Sequence, residues 1–157
     1  MTVRVSLALI VFLATSAMAG PADDEADILA IMTEYRDAFV AMDAHRVAAV
    51  FSEPYTFVAP APGTVSALAN RAEVEASVRQ QMARLKERGY ARGELKTIRV
   101  KSFDNGIAIA STVWQRYKAD SSLLETIGAT FLLRKEPSGW KIAVLTPHAP
   151  ESVLNLP

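Results

Sequence analysis

Cysteine is absent from the 157 residues. That excludes a disulfide framework, a thiol nucleophile and any cysteine-ligated metal site. A surplus of one charge sign is absent too, because 17 Lys and Arg balance 17 Asp and Glu. No Lys/Arg cluster offsets that balance, so a nucleic-acid-binding stripe is excluded. Histidine is scarce: His45 and His148 are the two in the chain. A three-histidine metal site is therefore impossible, and no spacing supports a mixed His/carboxylate site. No metal or other cofactor is expected. The chain has no G-x-S-x-G, no glycine-rich phosphate loop, no internal repeat and no low-complexity stretch.

What is present begins with hydrophobicity. Half of the residues are hydrophobic, and the mean hydropathy of +0.15 is high for a soluble chain. Part of the excess lies at the N-terminus. Arg4 precedes the apolar run Val5–Ala14, and Ala17-Met18-Ala19 supplies a small-residue cleavage site. A basic start, a short apolar stretch and an A-x-A triplet read as a secretory signal peptide over 1–19. The run is too short to span a bilayer, which takes roughly 20 apolar residues. A secreted chain is expected, periplasmic in a Gram-negative bacterium, with one domain over 20–157 and no membrane association after cleavage. Losing Arg4 moves its formal charge from zero to about −1. Without disulfides, its stability must come from its core.

Hydrophobic spacing sets the coarse organisation. Ile28, Ile31, Met32, Tyr35, Phe39 and Met42 recur at three and four, which predicts a long amphipathic helix over about 24–42. Asp43 suits the cap of a second, shorter helix carrying Val47, Val50 and Phe51 and ended by Pro54. Tyr55–Ala59 reads as a strand, closed by the turn Pro60–Gly63. Asn70 and Glu73 form a capping-box-like pair for a helix running through Arg88, with Gly89 just past its end. Then the period changes to two. Leu95–Phe103, Ile107–Tyr117, Leu123–Lys135 and Trp140–Thr146 read as strands, with Asp104-Asn105-Gly106 as a hairpin turn. The expected class is α+β, in the order α-α-β-α-β-β-β-β. Consecutive strands with no helix between them predict an antiparallel sheet.

That order resembles the nuclear transport factor 2-like superfamily, over roughly 25–148. The carrying segments are Met32–Phe39 with Asp43–Phe51, the first strand with its Pro/Gly turn, and Phe131–Leu145 with its Gly139-Trp140-x-Ile142 signature. The resemblance implies a cone: a strongly bent antiparallel sheet wrapped around the long helix, with an apolar pocket inside. It implies no single activity, because this fold hosts isomerases, cyclases, dehydratases, hydrolases and non-enzymes. It also implies that members pair through the open sheet face, so a homodimer is expected.

Within the superfamily, the steroid isomerase branch places an oxyanion-hole tyrosine where Tyr35 stands. Its carboxylate base would fall at Ala59 and its second oxyanion donor at Phe131. Two of three roles are missing, so isomerase activity does not carry over. Branches that aim a carboxylate into the pocket find few candidates here. Glu34, Asp37, Glu73, Glu75 and Asp104 lie on helices or in a turn, and Asp43 suits a cap. Glu125 is in a strand, on a face that the sequence leaves open.

Period two places Trp140, Ile142, Val144, Thr146 and His148 on one face of the last strand. If Trp140 and Ile142 face inward, Thr146 and His148 line the pocket mouth, and His148 is a candidate acid/base. Trp114 and Arg116 share a strand face, an aromatic wall beside one fixed charge. The ligand-binding candidates are therefore Tyr35, Tyr55, Trp114, Arg116, Thr146 and His148. The catalytic candidates are His148 and Tyr35. The expectation is a binding domain for a small amphipathic or hydrophobic molecule. The alternative is an isomerase-, cyclase- or dehydratase-type enzyme using His148 with Tyr35 or Glu125.

Overall fold

The computed structural model describes residues 21–60, 62–103 and 106–155. The signal-peptide reading of 1–19 and the hairpin-turn residues Asp104 and Asn105 lie outside them. Helix α1 (Pro21–Val40) is followed by α2 (Ala44–Ala49), β1 (Phe51–Val58), β2 (Val65–Leu68) and α3 (Arg71–Glu87). Four long strands complete the order: β3 (Tyr90–Phe103), β4 (Ile107–Lys118), β5 (Leu123–Glu136) and β6 (Gly139–His148). A short 3-10 turn at Pro150–Ser152 follows. The strands form one curved sheet in the order β2-β1-β6-β5-β4-β3.

The helices form where their residues direct. On α1, Ile28, Met32, Tyr35, Ala38 and Phe39 are buried at helical spacing. Asp24, near its start, accepts hydrogen bonds from Lys135 and from the Trp140 indole nitrogen, tying α1 to the β5–β6 hairpin. The helix stops at Val40, two residues short of expectation, because Met42 takes a left-handed conformation at φ 56°. Asp43 then caps α2 by accepting from the Arg46 backbone N–H at 3.0 Å. Asn70 caps α3 through the Glu73 N–H, also at 3.0 Å, and Gly89 turns out of it at φ 88°.

Two expectations about the sheet are corrected. Phe51 is strand, not helix. It pairs with Ile142, and the Ile142 N–H donates to Val50, so the backbone is claimed by β6 before a further helical turn forms. Pro54 lies inside β1. The β1–β6 pairing passes from Phe51 to Thr56, so a residue without an N–H is tolerated there. The sheet is also mixed. The edge strand β2 pairs antiparallel with β1, adding one element to the predicted order. Strand β1 runs parallel to β6, because α3 and the four-strand meander return the chain beside β1 in the same direction.

A third correction decides the site. The β5–β6 register shifts between Leu132, paired with Val144, and Leu133, paired with Ile142. Ala143 is the extra residue of a bulge. The alternation therefore changes phase along β6. Trp140 and Ile142 face the core, and beyond the bulge Leu145 and Pro147 face it too. Thr146 and His148 pair with Thr130 and Gly128 on the opposite, convex face.

Candidate functional site

Between α1, α3 and the concave face of the sheet lie two adjoining pockets of about 40 and 90 Å³. Tyr35, Phe39, Phe57, Gln81 and Leu145 are walls of both. The aromatic side chains are arranged around Tyr35. Its ring meets those of Phe51, Trp114 and Phe131 edge-on, at centroid distances of 5.9, 6.1 and 5.3 Å. Burial pushes the Tyr35 phenol up to about 12, with Arg116 pulling the other way. At neutral pH it is a hydrogen-bond donor. Tyr55 packs on Phe51 at 4.3 Å in the second pocket, and burial raises its phenol as well.

Trp114 and Arg116 reach the cavity from β4. The Trp114 indole N–H donates to Thr112 Oγ1 at 2.9 Å, and that hydroxyl donates to the Ala129 carbonyl. The indole is thus a wall with its polar atom already occupied. Arg116 has a 14% exposed side chain, and its guanidinium carbon lies 5.3 Å from the Phe39 ring centre. Arg116 Nη1 donates to Glu125 Oε1 at 2.6 Å, while Arg88 donates to the other oxygen. Burial drives the Glu125 carboxyl upward, but the hydrogen bonds from Arg88 and Arg116 outweigh it and hold it below the ordinary carboxylate range. Glu125 faces the cavity side of β5, ionised, with both oxygens engaged by guanidinium groups. It positions Arg116.

Tyr90 is a cavity residue outside the expected set. It is 8% exposed, lines the Tyr35 pocket, and its hydroxyl has no hydrogen-bond partner among the described residues. A Cβ at Gly93 would stand 2.8 Å from that hydroxyl, so glycine there makes room for the phenol. Burial raises the Tyr90 phenol, opposed by Arg116. An unmatched donor in a cavity leaves an unmet hydrogen-bonding demand that a ligand can satisfy. The available signal was Gly93, two residues before the predicted strand; the strand runs on through it, where a glycine marks a close approach. Gln81, on α3, was also missed.

The remaining candidates separate from this site. Tyr35, Tyr55, Trp114 and Arg116 line the pockets; Thr146 and His148 do not. His148 Nε2 meets Thr130 Oγ1 at 3.0 Å, and Nδ1 meets the Ala149 carbonyl at 2.8 Å. The carbonyl can only accept, so Nδ1 donates to it, and in the neutral imidazole Nε2 accepts from the threonine. Thr130 in turn meets Ser111 Oγ, which accepts from the Leu154 N–H. His148 thus belongs to a network that fastens the C-terminal tail across the convex face. It does not converge with Tyr35 or Glu125. His45 bonds Glu75 at 2.9 Å on the surface of the helices. Among the described residues, no three His, Asp or Glu side chains are grouped to hold a metal. At the resemblance-implied isomerase positions, Ala59 offers no carboxylate and Phe131 is fully buried against Tyr35.

A curved sheet closed by helices over an aromatic cavity defines the cone-shaped nuclear transport factor 2-like class. The chain belongs to the NTF2-like protein family (DUF6841), whose model matches residues 24–150. Among solved structures, an NTF2-like protein with a cystatin-like fold from Novosphingobium aromaticivorans is similar with a TM-score of 0.66 and 16% identity, over 83% of this chain and 84% of that one. A domain of unknown function from Nostoc punctiforme gives 0.61 and 24%, over 81% and 76%. A Streptomyces avermitilis protein provisionally named a dehydratase gives 0.61 and 17%, over 83% and 98%. These likenesses concern fold. None of the curated proteins matches the chain in sequence.

Proposed function

We propose that this chain is a secreted small-molecule-binding domain whose ligand occupies the cavity between α1, α3 and the sheet. The observation that carries the reading is the Tyr90 hydroxyl, buried and unpartnered at the wall of an aromatic cavity. Burying a polar group without a partner costs about 1–3 kcal/mol, which a ligand acceptor would recover. Each pocket, at about 40 and 90 Å³, is smaller than the dry cavity of about 150 Å³ that admits benzene in another protein, so a single ring or short chain would have to occupy the two adjoining pockets together. Binding without reaction is favoured because, among the described residues, no carboxylate lines either pocket, and Glu125 beside Arg116 is held by two arginines.

The test is thermal unfolding of the mature chain against a panel of monocyclic aromatics and short-chain amphiphiles. A ligand at roughly 100 times its Kd stabilises the folded state by about 2.7 kcal/mol, which raises the melting temperature by several degrees. His148→Ala should leave that increment unchanged, because His148 lies across the sheet from the cavity. A melting temperature that no member of the panel moves would sink the proposal.

A further inference from the structure

The polar groups at the Arg116 end of the cavity share a property. Tyr35 and Tyr90 are protonated phenols, and the Arg116 guanidinium can only donate. Gln81 adds an amide that can donate as well as accept, and the carboxylate beside Arg116, Glu125, is already occupied by the two arginines. A site of donors around a fixed positive charge is matched by an anionic oxygen.

The way in carries the same signature. Outside the cavity, a groove of about 260 Å³ is lined by Gln81, Arg84, Leu85, Arg88 and Arg116. Gln81 and Arg116 also line the Tyr35 pocket, and Arg84 lines its neighbour. These three residues form the neck between groove and interior. Three guanidinium groups line the groove; Glu125, bonded to Arg88 and Arg116, offsets one of them and leaves a surplus of two positive charges. Glu87 and Glu94, the acids nearest in sequence, line neither groove nor cavity. Arg84 makes no ion pair among the described residues.

Resting on the binding reading above, we infer that the ligand is a small organic carboxylate. Its ring or chain lies among the aromatic walls, and its carboxylate is drawn through the Gln81–Arg84–Arg116 neck to Arg116 and the Tyr90 hydroxyl. A planar carboxylate matches the flat edge of a guanidinium and needs less room than a tetrahedral anion. Glu125 is the internal competitor: it holds Arg116 in place, and the ligand shares or displaces that contact.

Calorimetric titration of the mature chain at constant ionic strength tests this, using matched acids and amides: benzoate against benzamide, and hexanoate against hexanamide. Each acid should bind at least tenfold more tightly than its amide. Arg116→Gln should bring the ratio of acid to amide affinity down to about one. Glu125→Gln, which releases Arg116, should tighten acid binding severalfold. If Arg116→Gln does not fold, as judged by circular dichroism, Arg84→Gln at the neck carries the test, with a severalfold loss for the acids. Acids and amides binding equally would overturn the carboxylate inference and leave the binding reading standing. No binding by either member of both pairs would overturn the two together.

Discussion

Phe131→Ala is expected to lower the stability of the folded domain by about 3–5 kcal/mol, the range for removing a buried ring from a core. Phe131 is fully buried on the concave face of β5, and its ring stands edge-on to Tyr35 at 5.3 Å. It also forms part of the cavity wall. Truncation therefore enlarges an existing void, which collapse of the neighbours cannot fill, since β4 and β6 hold β5 on both sides. Chemical denaturation measures the loss. A cost below about 1 kcal/mol is the range of exposed sites and would mean that the ring is not part of the core.

Tyr90→Phe has the opposite expected sign. Deleting the hydroxyl removes a buried group that has no partner, so the unliganded protein should gain about 1–2 kcal/mol. A tyrosine with a satisfied hydroxyl would lose stability under the same substitution, so the sign alone separates the two situations. The gain should come with weaker ligand binding, because the removed donor is one the ligand uses. Paired denaturation and titration of the two proteins check it. Destabilisation by Tyr90→Phe would show that the hydroxyl is already bonded and that the site is not waiting for an acceptor.

The opposed effects on stability and binding mark the difference between core and site. At Phe131, sequence and packing agree: an apolar residue fills an apolar position. At Tyr90 a polar atom is buried unmatched, and such local conflicts concentrate where function requires them.

Much of the fold was legible because its signals are local. The Tyr35 stripe on α1, the Asp43 and Asn70 caps and the period-two strands each depend on residues within a few positions. Alternation puts Trp114 and Arg116 on one face, and it holds because the extra residues at the register shifts beside them, Lys96 and Leu124, lie on β3 and β5 and not on β4. What was missed depends on distant partners. Strand β2 has four residues with alternate exposure, and it exists because β1 pairs with it. The parallel β1–β6 pair is set by where the meander ends. The bulge at Ala143 carries no glycine or proline to announce it, yet it moves Thr146 and His148 from the expected pocket face to the convex one. Tyr90 lies five residues before the predicted strand, beside the turn at Gly89, where neither helical nor strand period identifies its direction.

Chemical-shift mapping tests the central claim most directly. A chain spanning residues 20–157, isotopically labelled, is titrated with a ligand that raises its melting temperature, and the backbone amide resonances are followed. Saturable shifts are expected at Tyr90, Arg116, Ala129 and Leu145 around the cavity, with the amides of Val144, Thr146 and His148 moving far less. Shifts concentrated on the convex face around His148, with the cavity residues unmoved, would contradict the account.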